Sequence, residues 1–457
     1  MSAQQSFRLI KTVIEDGPIW RRLTRNTSIS MAGSGLILTI KLGQTALLTR
    51  VLSIDDYGRL LIVLNLFIFL ESFFGLRASD VIFRFFRPLE ERQDMRALKG
   101  LLLLCFGVGL ASGVAIYGGV ALLSPWLTER LYPGLELAPL FNIYGCTVLV
   151  TAFRGVYEPI LRLHDRFISI VASQVVGSMV TLFILCAYFA TNVTTLASTG
   201  RPSNLKVAIV AFTVGTLVQS LPPFVRALRL VKPFLSAVKA KEALQSLAVY
   251  RRELAGCFVN SNLSGYLRFA ISPGDVFLLG LFSSPSQLAF YGVARQLTAP
   301  LALLQTNIQT AITPEIVSLV AKGKFEQLKR LLARYLSWTV GFGALLLIGI
   351  TAVGRFLILN FLPSEYTAAL PVFYLLSFAT WLILVFLVFR PVAISLDLLK
   401  WHTLVLLASA IIVVIFILAG NLNAMTMALI QVAEVLLLRS FFNALVWTRL
   451  KQQTSQG

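Results

Sequence analysis

The sequence predicts an all-α polytopic membrane protein of about twelve transmembrane helices in two six-helix pseudo-symmetric bundles, with both termini on one side. Three observations carry this prediction. The 457 residues are 57% hydrophobic and only 13% charged. Soluble domains carry about 25% charged residues, so this chain has too little charge to cover a soluble surface. The apolar residues come in runs of about 20, the length at which a helix crosses a hydrocarbon core ~30 Å thick. The loops between those runs alternate between rich and poor in Lys and Arg.

Residues 1–28 are basic and mildly amphipathic, with Phe7, Ile10, Val13 and Ile14 on one side. They hold Glu15-Asp16-Gly17-Pro18 and no apolar signal core, and they read as an interfacial lead-in. Spans are expected at 29–50, 58–80, 98–123, 138–157, 167–190 and 206–228, forming a first lobe over 29–229. A basic linker, 230–252, follows. A second lobe over 253–447 holds spans at 253–282, 288–318, 333–353, 367–389, 400–420 and 423–447, before a tail at 448–457. The eighth span is expected to break at Pro300 or to end near Pro314.

The net charge of +19 would suggest a nucleic-acid partner in a soluble protein. Here the cations lie between apolar runs, and nucleic acid is not expected. Arg21, Arg22 and Arg25, then Arg87 to Lys99, then Arg226 to Arg252, then Lys322 to Arg334 mark one side, which is therefore expected to be cytoplasmic. The alternate loops are short and hold little beyond Arg130, Arg201 and Arg355. Cys105, Cys146, Cys186 and Cys257 fall inside apolar runs and give no disulfide framework or metal spacing. His164 and His402 lack ligand spacing, no phosphate-binding Gly-rich loop is present, and no cofactor is implied.

The chain repeats itself. Tyr57-Gly58 and Tyr291-Gly292 follow similar hinges, at an offset of 234. Phe153-Arg154-Gly155-Val156 and Phe389-Arg390-Pro391-Val392 end the fourth and tenth spans, at an offset of 236. Repeats six helices apart share one orientation and are related by an axis along the membrane normal, as in several transporter folds.

With these residues in view, the chain resembles the Wzx-type polysaccharide-repeat-unit flippases of the multidrug/oligosaccharidyl-lipid/polysaccharide exporter superfamily. The likeness lies in Leu48-Thr49-Arg50-Val51-Leu52-Ser53-Ile54-Asp55-Asp56-Tyr57-Gly58, in Asp275 to Gly280, in Phe290 to Ala294, in Ala311-Ile312-Thr313-Pro314 and in Lys322-Gly323-Lys324. It implies a V-shaped flippase/exporter fold and a bacterial inner-membrane protein that moves an undecaprenyl-pyrophosphate-linked oligosaccharide between leaflets, without covalent chemistry. Membrane lipids, a glycan polymerase and chain-length machinery are the implied partners. Lipid II flippases usually carry two further helices. Ion-coupled drug antiporters usually carry acidic residues early, where this chain has Lys41. A membrane-embedded glycan polymerase or ligase is the alternative from another class, and the short outer loops argue against it.

Charges at mid-depth cost about 2.5–3.5 kcal/mol each and are kept for a reason. Lys41, with Gln44 and Thr45 on its face, and Arg268, with Asp275 two turns on, lie at such depths. We expect Lys41 and Arg268 to line a central cavity and attract the substrate's phosphates, with Asp275 pairing one of them when the cavity is empty. The repeat places Lys41 opposite Asp275. Arg295 in the polar eighth span, Arg77, Arg154 and Arg390 are further candidates for binding the anion. Glu71, Asp80 and Glu434 join Asp275 as candidates for gating or ion coupling, with Glu434 and Arg439 close enough to pair.

Overall fold

The computed structural model describes residues 17–75, 78–191, 202–236, 239–269, 274–395, 399–420 and 422–456. The fold is 91% helical, with no strand among the described residues. Nine helices among them are long and apolar enough to cross a membrane.

The first lobe starts with α1 (Gly17–Val51), α2 (Ile54–Phe74) and α3 (Ala78–Glu91). Ser53 caps α2 by accepting from the Asp56 amide, and Asp55 and Asp56 favour the positive end of that helix. The expected second span is thus two helices, α2 and α3, on either side of Gly75. That glycine caps α2, its amide donating to the Glu71 carbonyl. The chain continues with α4 (Met95–Leu131), then α5 (Ala138–Gly145), α6 (Val148–Thr151) and α7 (Arg154–Leu163), which share the fourth span. The lobe closes with α8 (Phe167–Thr191) and α9 (Pro202–Ser236).

The basic connection at 230–252 is largely helical. α9 runs on to Ser236, and α10 (Ala240–Leu247) docks on α4. The fit is backbone-close: a Cβ on Gly100 would sit 2.3 Å from the Ala243 carbonyl oxygen. Ala243 and Leu247 are the buried face of α10.

The second lobe holds α11 (Arg251–Phe269), α12 (Gly274–Phe282), α13 (Pro285–Ala321), α14 (Phe325–Phe361), α15 (Ala369–Phe386), α16 (Phe389–Ser395), α17 (Leu399–Leu418), α18 (Ala424–Ala433) and α19 (Ser440–Gln456). The expected spans at 253–282, 288–318 and 400–420 fall on α11 with α12, on α13 and on α17. One expectation is corrected: α13 passes Pro300 and Pro314 without ending. Its flanks pack on α2 and α15, and neighbouring helices of this kind hold a proline-bearing helix together inside a membrane protein. Gln305 illustrates this, its amide donating to the Thr380 carbonyl of α15 at 2.5 Å. Between α18 and α19, Glu434–Arg439 form a π turn. Its wider winding brings residues five apart onto one face, and Arg439 Nε meets Glu434 Oε1 at 3.0 Å.

Three hydrophobic cores organise these helices. The largest spans both lobes at the end holding the 52–53, 283–284 and 362–363 turns. There Tyr57 and Phe290 both pack edge-on against Tyr366, at 6.4 and 6.0 Å between centroids. Gly58 abuts the Pro285 carbonyl, and Arg50 Nε donates to the Phe361 carbonyl at 2.7 Å, capping the C-terminal end of α14. At the opposite, basic end there are two separate cores. One gathers α3, α4, α7, α9 and α10 with Leu254 of α11, and the other gathers α13, α14, α16 and α19. The two lobes also meet along α2–α3 and α11–α12. Phe69 stacks on Phe277 at 3.8 Å, the Tyr266 hydroxyl donates to the Phe73 carbonyl at 2.8 Å, and the Ser261 hydroxyl donates to Asp80.

Candidate functional site

Inside the first lobe, α1, α2, α5, α6, α7, α8 and α9 line a cavity of about 270 Å³. Lys41 from α1 projects into it, and Gln44, one turn on, anchors that face by donating to the Ser178 carbonyl of α8 at 2.8 Å. Glu71 comes from the last turn of α2 and accepts a hydrogen bond from the Thr151 hydroxyl of α6. Arg154 opens α7, and Thr216 and Gln219 from α9 complete the polar lining. The floor is tight because α8 and α9 touch through glycines. A Cβ on Gly177 would lie 2.6 Å from the Gly215 carbonyl oxygen.

A second cavity, about 340 Å³, adjoins the first and shares Glu71, Thr151 and Arg154 with it. It continues past Ser79 to Glu158 and Arg162. Glu158 is held by Arg162 at 3.0 Å and lies 3.8 Å from Arg154 Nε. Arg154 is 41% accessible, and that access is to the cavities, whose walls it forms. Lys41 makes no ion pair with a described residue. The arrangement is a half-open, mixed-charge chamber with more cation than carboxylate: Lys41, Arg154 and Arg162 against Glu71 and Glu158. In a low-dielectric surround such cations attract an anion far more strongly than in water.

Lys41, Arg154 and Glu71, candidates on separate grounds in the sequence, line one cavity, and its place differs from the one expected. The polar cavity lies within the first lobe, where a chamber between the lobes was expected. Asp275 does not face Lys41. It is buried in the second lobe, accepting from Tyr291 at 2.6 Å and Gln431 at 2.7 Å, and it forms an ion pair with Arg295. The reason is geometric. Repeat-related positions each turn toward the interior of their own lobe, and Tyr291 from α13 and Gln431 from α18 complete the pocket around the carboxylate. Arg295 accordingly appears as the partner of Asp275. Asp275→Asn is expected to lower the melting temperature of the detergent-purified protein, because loss of one partner of a buried pair costs about 3–5 kcal/mol. An unchanged melting temperature would remove the structural role.

Asp80 bonds to Ser261 across the lobes, and Glu434 pairs with Arg439. Arg390 stands near the start of α16, as Arg154 stands at the start of α7, which matches the sequence echo. Arg77 lies outside the described residues, and of Arg268 only the backbone, within α11, is described. Sequence reasoning missed Thr151, Thr216, Gln219 and Ser178, since lone polar residues in apolar runs read as packing. Thr147 and Thr151, four apart and leading into Arg154, are a signal that could have pointed to this wall. Gln431 was missed for the same reason, and Tyr291 was seen only as a repeat marker.

Comparison with known proteins places this geometry. No curated protein matches the sequence. Among solved structures, the chain is similar to an inward-facing conformation of a multidrug resistance MATE family transporter of the MOP superfamily, at 13% identity and a TM-score of 0.61, over 94% of this chain and 96% of that one. It is similar to the lipid II flippase MurJ in an inward closed conformation, at 14% identity and 0.59, over 88% and 86%. It is also similar to a MOP superfamily transporter from Pyrococcus furiosus, at 13% and 0.55, over 95% and 96%. At these identities the likeness establishes the fold alone, that of a multi-pass helical membrane protein. The family described as "Polysaccharide biosynthesis protein" matches residues 47–371, more than half of the chain, and the chain belongs to that family.

Proposed function

We propose that this protein translocates a lipid-linked, pyrophosphate-bearing oligosaccharide across the bacterial inner membrane by alternating access. The observation that carries the reading is the pair of cations, Lys41 and Arg154, in the wall of one cavity of a polysaccharide-family membrane fold. Such a chamber lowers the cost of bringing an anionic head group to membrane depth, while the lipid tail stays in the bilayer.

The positive-inside rule puts the basic end in the cytoplasm. The shared core at the far end and the two separate cores at the basic end then correspond to a state open to the cytoplasm. In that state the head group reaches Arg162 and Glu158 first, and Arg154 and Lys41 after them.

Deletion of the gene in its host is expected to cause accumulation of the lipid-linked intermediate on the cytoplasmic leaflet, with loss of the surface glycan. Wild-type protein restores export, and the Lys41→Ala/Arg154→Ala double variant does not. Normal surface glycan in the deletion strain would count decisively against the proposal. Chain elongation by the purified protein would instead make it a polymerase.

A further inference from the structure

Glu71 is an odd wall for an anion-binding chamber. It lines the inner cavity together with both cations, within electrostatic reach of Arg154 and held by the Thr151 hydroxyl. Its carboxylate thus shares the cavity into which Lys41 and Arg154 would draw a negatively charged ligand. We infer that Glu71 is a stand-in anion, which holds the phosphate position in the empty cavity and takes up one proton when a pyrophosphate diester binds there, so that head group and proton are carried together. This rests on the reading of the cavity as the head-group site.

Charge accounting supports it. The inner cavity is faced by Lys41 from α1, by Glu71 from α2, by Tyr144 from α5, by Thr151 from α6 and by Arg154 from α7. From α8 and α9 it is faced by Ser178, Thr181, Thr216 and Gln219, none of them charged. In the adjoining cavity Glu158 is balanced by Arg162, and α3 adds only Ser79 and Phe83. With Glu71 ionised the inner cavity is one charge positive. With Glu71 protonated it is two charges positive, which matches a pyrophosphate diester bearing one negative charge on each phosphate.

A carboxylate and a pyrophosphate crowded onto the same cations cannot all keep full charge at low dielectric, and the carboxylate, much the stronger base, gains the proton. The step is a plain protonation: a proton from the open side adds to the Glu71 carboxylate, and the phosphate takes over the contacts with Lys41 and Arg154. The Thr151 hydroxyl continues to bond the neutral acid. Release of the head group on the other side frees the cations, and Glu71 returns its proton there.

The test is calorimetric binding of a short-chain prenyl pyrophosphoryl-N-acetylglucosamine to the purified full-length protein, in buffers of differing ionisation enthalpy. This probe is a pyrophosphate diester and does not itself titrate near neutral pH. Wild-type protein is expected to take up about one proton per probe bound, with affinity falling by up to about tenfold per pH unit on the alkaline side. Glu71→Gln, which still accepts the bond from Thr151, is expected to take up none. Its affinity should be flat with pH and at least equal to that of wild type.

Probe binding without proton uptake in wild type, or uptake that persists in Glu71→Gln, overturns the inference and leaves the anion site standing. Absence of binding, or binding undiminished in Lys41→Ala/Arg154→Ala, overturns the site reading and the inference with it. The wild-type proton count decides the matter even if the glutamine variant does not fold.

Discussion

Replacing Arg154 by glutamate is expected to abolish export while leaving the protein in the membrane. Arg154 stands where the two cavities of the first lobe join, so it faces the head group along the whole path. Removing one partner of a desolvated, hydrogen-bonded charge pair costs about 2–5 kcal/mol, which is roughly 30-fold or more in affinity. Charge reversal adds repulsion to that loss, because Glu71 and the new carboxylate would then outnumber Lys41 in the inner cavity. Arg154→Lys should retain part of the activity, since it keeps the charge and loses the planar fork that matches phosphate. The measurement is surface glycan and lipid-linked intermediate in a deletion strain carrying each variant, with protein level checked in the membrane fraction. Wild-type export by Arg154→Glu would eliminate the cavity as the head-group route.

The second large effect is expected at Gly58. A Cβ there would lie 2.0 Å from the Pro285 carbonyl oxygen and 2.4 Å from its carbon. Both obstacles are backbone, so no side chain can swing away to make room. The crowding falls at the shared core, next to the Tyr57–Tyr366–Phe290 aromatic cluster and the Arg50 cap on α14. Gly58→Val is therefore expected to pry the lobes apart at this end and to shift the population away from the state described here. Cysteines placed at Arg50 and Phe361 read this out, because cross-linking between them should drop severalfold in the valine background. Equal cross-linking in both backgrounds would show that the contact yields without moving the lobes. Gly292 offers a contrast, since a Cβ there meets only the Leu61 side chain, which can move.

The difference between these two glycines shows where reading a sequence stops. Tyr57-Gly58 and Tyr291-Gly292 look alike as letters and mark the same place in each repeat. The first glycine is required by a backbone of the other lobe and the second by a flexible leucine, a distinction made only by packing. Lys41 and Asp275 give the same lesson. The repeat relates them, and their depth marks both as meaningful. Their partners, however, come from helices scattered through the sequence: Thr151 and Gln219 line the cavity near Lys41, and Tyr291, Arg295 and Gln431 surround Asp275.

By itself the sequence determined the helical membrane fold, and it pointed to the repeat, the polarity of the loops and the charges at depth. Each of these follows from local quantities: length of apolar run, count of Lys and Arg, and depth within a run. The tertiary structure alone decided that the polar chamber is inside the first lobe, that Asp275 is already satisfied by Arg295, and that one end of the molecule is closed while the other has two separate cores. Those features depend on which helix faces which, and helix facing is set by side-chain packing between segments far apart in the chain.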